Sequence, residues 1–190
     1  MEQEISIYKP LEINLNRVVG FEEALEAMRL PKESKGDSNY YYNSGMISDR
    51  SVLGDLAVLR NSDRRLAQSL VKAGTDHAKF TRGIIVYLKL HMQTGFMIEF
   101  ETYRHGVECL STSSSMHSEL KNLKGEELAK QKQRDLPEKI YTRILTISYQ
   151  ALRSIYKARR NHRHPDWQIF CDFIETLPYF DVFIYPKIRE

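Results

Sequence analysis

The chain has 190 residues, 42% apolar and 28% charged, with 28 basic against 25 acidic side chains for a net charge of +3. That length fits one domain with enough apolar surface to fold unaided, and so small a net charge gives no global argument for nucleic-acid or membrane binding, leaving only local clusters of charge to consider. No apolar run nears the ~20 residues of a membrane span, acidic side chains stand where a secretory signal carries basic and apolar ones, and the two cysteines, Cys109 and Cys171, are expected as free thiols in a reducing cytoplasm.

In chain order, EISIYKPLEINL alternates apolar and polar residues as a half-buried strand pair does, with Pro10 as an interruption. FEEALEAMRL places Phe21, Leu25 and Met28 on one helical stripe that Pro31 ends. PKESKGDSNYYYNSG reads as a loop carrying three consecutive tyrosines, which pack as a lid over the core or over a site. Ser62 caps a helix through Leu66, Leu70 and Val71, and Gly74 stops it. KFTRGIIVYLKLHM is a mostly buried strand. TGFMIEFETYRH, capped by Thr94, is a helix with Phe96, Phe100 and Tyr103 inward that delivers Arg104 and His105 at its end.

VECLSTSSSMH then reads as a polar loop, followed by short exposed helices in HSELKNLKGEELAKQKQRD. Pro137 opens a long helix with Ile140, Ile144, Ile147, Ala151 and Ile155 at helical spacing, ending in KARRNHRH. Pro165 restarts a helix, which Pro178 closes. Two or three strands with about five helices make an α/β (α+β), helix-rich single domain around a small sheet.

Several groups carry candidate chemistry. His162, His164 and Asp166 lack the paired spacing of a metal site, and cations at a helix C-terminus are favoured by the helix dipole in any case. Cys109 has Arg104, His105 and Glu108 close in sequence but reads as an ordinary thiol, and Cys171 shares a core stripe with Trp167 and Ile174. No glycine-rich phosphate loop, dinucleotide fingerprint or serine-hydrolase elbow is present. What remains is Arg104, His105, the hydroxyls of residues 111–115 and His117, a set of donors with cationic support that suits a phosphate. Arg159 and Arg160 form a second basic group, read either as facing the same cavity or as a separate surface cluster. Docking of KARRNHRH on nucleic acid is the less favoured alternative at this net charge.

The order of these features resembles the flavin-dependent thymidylate synthases (ThyX), whose signature is R-H-R-x-x-S-x-N-x-x-S-x-R-Y. From Arg104 this chain reads R-H-G-V-E-C-L-S-T-S-S-S-M-H. Arg104, His105 and Ser114 match, Cys109 and Ser111 stand in for the serine and asparagine, and Gly106, Met116 and His117 replace two arginines and the tyrosine. Upstream, His77 stands near the position of the family's flavin-contacting histidine. Downstream, Arg160 precedes Trp167 by seven residues, as an arginine precedes a tryptophan in the family. The resemblance is strongest over residues 62–176, and the chain also resembles divergent, phage-encoded members of the family.

The resemblance implies a homotetramer in the cytoplasm that binds FAD and nucleotide between subunits. It implies methylation of dUMP, with methylenetetrahydrofolate as donor and hydride from NADPH passed through the flavin. Carried over by position, His77, Lys79, Arg104 and His105 would hold FAD. Glu101, Ser111, Ser113, Ser114, His117 and Arg160 would hold the nucleotide, with Arg160 also stabilising the polarised pyrimidine. Gly106 and Met116 remove cations from this scheme, and Glu101 places a carboxylate where the family has an amide. A non-catalytic protein that sequesters a nucleotide on the same scaffold is the alternative.

Overall fold

The computed structural model describes residues 8–32, 59–116, 119–135 and 139–186. His117 and most of the tyrosine-bearing loop lie outside them.

Among the described residues four strands form one antiparallel sheet: β1 (Glu12–Val19), β2 (Ile85–Gln93), β3 (Val107–Thr112) and β4 (Ile140–Ser148), in the order β1-β2-β4-β3. Strand β2 sits inside the sheet, with Val86, Leu88, Leu90 and Met92 buried and Lys89 exposed on the opposite face. This period-two alternation is what a sheet covered on one side requires. Six α-helices accompany the sheet among the described residues: α1 (Phe21–Arg29), α2 (Asn61–Ala73), α3 (Thr94–Phe100), α4 (Gly125–Asp135), α5 (Tyr149–Arg159) and α6 (Pro165–Glu175). The mixed, helix-rich class is as expected, and the sheet is larger than the two or three strands anticipated.

Several local assignments differ from the sequence expectations. Residues 140–148 are strand, not helix: Tyr141, Arg143, Leu145 and Ile147 face one side and Ile140, Thr142, Ile144 and Thr146 the other, in register with β2. The β-branched content of IYTRILTI decides locally, and Ser148 then caps α5 by accepting a hydrogen bond from the Ala151 amide at 3.2 Å. The segment 107–112, expected as loop, is the edge strand β3, paired with β4 from Val107↔Ile147 to Thr112↔Arg143 with a bulge between Cys109 and Ser111. Ser62 lies inside α2, whose N-cap is Arg60, and Gln93 rather than Thr94 caps α3.

The core is one contiguous cluster. Trp167 of α6 is fully buried, 4.8 Å from the Phe96 ring and stacked at 5.9 Å on Phe100 of α3, with its indole N–H donating to Glu99 at 2.8 Å. A buried indole needs such a partner. Cys171 is buried beside it, as its stripe requires. No helix among the described residues is long and apolar enough to cross a membrane.

Candidate functional site

The site is built on the reversal between α3 and β3. Helix α3 stops at Phe100, and the chain turns through Glu101 and Tyr103 to the exposed pair Arg104 and His105. Gly106 follows at φ +74°, and its carbonyl accepts from the Ser148 amide at 2.8 Å. A Cβ at this position would lie 2.5 Å from Ser148 Oγ and 3.3 Å from Ala151 Cβ. Left-handed backbone and close approach to the start of α5 both demand glycine here. The missing arginine of the signature is therefore tied to how tightly β3 is laid against α5.

Arg104 and His105 point into different cavities. Arg104 lines one of about 380 Å³ on the helix side of the sheet, together with Glu101, Tyr103, Cys109 and Arg143. His105 lines another of about 490 Å³ with Arg82, Glu108, Ser148, Gln150 and Ser154, at the N-terminus of α5. Glu108 borders both. In the first cavity Arg143 supplies a second cation: it contacts Glu101 at 2.8 Å and donates from Nε to Thr112 Oγ1 at 2.9 Å. The Glu101 carboxylate is thus paired, by Arg143 and not by its sequence neighbour Arg104. In the second, Arg82 donates to Gln150 Oε1 at 2.6 Å across the mouth of α5.

The serines lie at the other end of β3. Ser111 is exposed on the strand, on the face opposite Cys109 and Arg143. Ser113, Ser114 and Ser115 line a third cavity, of about 330 Å³, with Lys132, Lys139 and Tyr141. Six strand residues separate this end from the Arg104–His105 end, which is about 20 Å at the usual rise per residue. Within one chain the two halves of the expected site face separate cavities.

His77 and Lys79 are exposed in the turn ahead of β2 and line none of these three cavities. Arg160 turns toward α6, 2.6 Å from Asp172 and 3.2 Å from Glu175. Its neighbour Arg159, about 100° around the helix, faces the other way: its guanidinium is 4.8 Å from the Trp167 ring and its Nε donates to Tyr103 Oη at 2.7 Å. Arg159 is the residue of this pair that reaches the wall of the Arg104 cavity, through Tyr103. His162 and His164 are engaged locally: Nδ1 of His162 accepts from the His164 amide, and Nδ1 of His164 from the Asp166 amide, each at 3.2 Å.

Arg82, Gln150, Arg143, Lys132 and Lys139 were absent from the sequence-based site. Arg82 was within reach, three residues beyond Lys79 in the same turn. Arg143 and Gln150 were hidden by assigning both to one continuous helix.

No family model matches the chain, and no curated protein sequence matches it. Among solved structures it is similar to the flavin-dependent thymidylate synthase ThyX from Helicobacter pylori complexed with FAD and dUMP, at 12% identity and a TM-score of 0.63 over 92% of this chain and 98% of that one. A second structure of the same Helicobacter pylori enzyme with FAD and dUMP gives 13% identity and a TM-score of 0.62, covering 93% and 97%. At that identity the likeness is one of fold, and this chain has the fold of the flavin-dependent thymidylate synthases.

Proposed function

We propose that this chain binds FAD and a pyrimidine deoxynucleotide such as dUMP and carries out a thymidylate synthase-like, flavin-dependent methylation with methylenetetrahydrofolate and NADPH. The observation that carries this reading is the Arg104–His105 pair, set by the Gly106 turn on cavities at both faces of β3, in a chain whose fold matches that of an enzyme complexed with FAD and dUMP. The donor set fits anionic ligands. Arg104 lies in one cavity beside the Arg143–Glu101 pair, and Arg82, His105 and the Ser148 hydroxyl at the head of a helix lie in the other.

When bound, the flavin supplies the redox chemistry and the chain supplies binding and orientation. Arg104 and His105, with His77 and Lys79 from the turn ahead of β2, hold the cofactor. Ser111, Ser113, Ser114 and His117 hold the nucleotide, with Glu101 and Arg160 beside the pyrimidine. Arg159 positions Tyr103 through its hydrogen bond. The separation of the two ends of β3 favours a homotetramer in which one site draws on more than one copy.

The absorbance spectrum of the purified chain tests this directly. FAD uptake with flavin bands, and faster oxidation of reduced flavin on adding dUMP, are expected. A colourless protein that takes up no FAD in calorimetric titration overturns the reading. A second reading, sequestration of a nucleotide without chemistry, is favoured by Gly106 and Met116, which leave fewer cations than the signature carries. It expects a nucleotide without flavin among the small molecules released on denaturation.

A further inference from the structure

The cavity at the far end of β3 differs in charge from the other two. The Arg104 cavity includes Glu101 and Glu108, and the His105 cavity includes Glu108. Among the described residues the third is lined by two lysines, three serines, a tyrosine and Leu120, with no carboxylate. Among the described residues neither Lys132 nor Lys139 lies within ion-pair distance of an acid, whereas Lys130 on the same helix pairs with Glu126 at 2.8 Å. Three elements converge here: Lys132 comes from α4, Lys139 and Tyr141 from the start of β4, and the serines from the end of β3. The Lys139 ammonium sits 5.3 Å from the Tyr141 ring, a cation–π contact that holds it over the cavity.

The hydroxyls are oriented as well. Ser113 Oγ accepts from the Thr142 amide at 3.0 Å, and Ser114 Oγ accepts from the Met116 amide at 3.2 Å. A hydroxyl whose oxygen is engaged by an amide keeps its own proton to donate. Two hydroxyl donors and two ammonium groups around a cavity with no carboxylate among its described lining residues form a set that recognises a compact, doubly charged anion. The volume lies at the lower end of the ~300–1,000 Å³ typical of ligand pockets, which suits a terminal phosphate with its adjoining sugar.

We propose that Lys132 and Lys139, with Ser113 and Ser114, hold the phosphate monoester of the nucleotide, supplying the charge that Met116 does not. The assignment rests on the nucleotide reading above and identifies the group this end of the site selects. It makes the phosphate, rather than the base, the main determinant of nucleotide affinity at this end.

The test is calorimetric titration of the full chain, wild type and K132M/K139M, with dUMP, deoxyuridine and inorganic phosphate, after circular dichroism shows both fold alike. Wild type is expected to bind dUMP at least about tenfold tighter than deoxyuridine, the scale of charge-assisted contacts. Millimolar inorganic phosphate is expected to compete with dUMP. In K132M/K139M the dUMP preference falls to near unity while deoxyuridine binding is unchanged, and K132R/K139R retains most of it. An unaltered preference in K132M/K139M, or no competition by phosphate in wild type, overturns the proposal. The two readings separate cleanly. Lysine-dependent phosphate binding without flavin uptake leaves the anion site standing and removes the flavin. FAD and dUMP binding indifferent to both lysines does the reverse.

Discussion

At position 106 a side chain would meet two obstacles, a positive φ and the Ser148 hydroxyl. An L-residue in the left-handed region costs about 1–2 kcal/mol, and forcing a Cβ into a filled space adds a comparable amount. Restoring the signature arginine with Gly106→Arg should therefore lower unfolding stability by about 2 kcal/mol or more and gain no flavin affinity. Urea denaturation checks this, and a midpoint equal to wild type with tighter FAD binding would show the glycine to be a simple loss. Glu101 argues in the opposite direction. Its carboxylate is half-exposed and spends its charge on Arg143, so Glu101→Gln costs little stability, ~0–1 kcal/mol by the usual worth of such a pair. It also leaves the Arg143 guanidinium for a ligand. Binding of FAD should tighten severalfold, more at low salt than at high; unchanged or weaker FAD binding in titration would overturn this. The identities of both residues were plain in the sequence, whereas their roles depended on Ser148 and Arg143, which lie about 40 residues away and meet them only through sheet pairing.

The elements were legible where a single period governed them. Phe21, Leu25 and Met28 mark α1, and Trp167, Cys171 and Ile174 mark α6, and all are buried. The β4–α5 junction defeated the same logic. Ile144 and Ile147 of a strand happen to continue at helical spacing into Ala151 and Ile155 of the helix that follows without a loop. β3 gave no signal because an edge strand with its residues mostly exposed has no apolar alternation to show. Between elements, two contacts make predictions. Arg29 of α1 and Asp63 of α2 form a buried pair at 2.7 Å. Arg29→Met leaves a buried carboxylate unpartnered and should destabilise by about 3–5 kcal/mol. Replacing both with apolar residues should recover most of that loss in chemical denaturation. Between α5 and α6, Tyr156 Oη donates to Glu175 at 2.7 Å. Burial, reinforced by the Glu175 carboxylate, pushes its phenol up to about 12. The native phenol keeps its proton more tightly than the unfolded one, which titrates near 10. The stability it contributes is therefore complete below pH ~10 and is lost as pH rises through about 12. Urea midpoints should fall between pH 9 and 12, and less steeply in Tyr156→Phe; equal slopes in the two proteins would assign the alkaline loss to other buried groups such as Tyr149 and Cys171.

At the scale of the whole molecule, the sheet determines what one chain can do alone. The sequence placed Arg104, His105 and Ser114 within eleven residues, and in a loop they would close on a single ligand. As strand, the same residues are held about 20 Å apart, with the phosphate-type donors at one end and the Arg–His pair at the other. Symmetric oligomers solve such a problem by bringing one end from each of two copies to a shared site. Two variants damaged at opposite ends discriminate this arrangement from a one-chain site. Arg104→Ala with His105→Ala removes the cofactor end, and Ser114→Ala with K132M/K139M removes the nucleotide end, so each alone should lose dUMP-stimulated oxidation of reduced flavin. Co-expressed in equal amounts, they assemble some sites from two intact ends, and roughly one site in four should recover that oxidation. A fractional recovery near that value in the mixed oligomer requires the ends to come from different copies. No recovery, with the mixed oligomer intact by mass measurement, means that both ends of a site come from one chain.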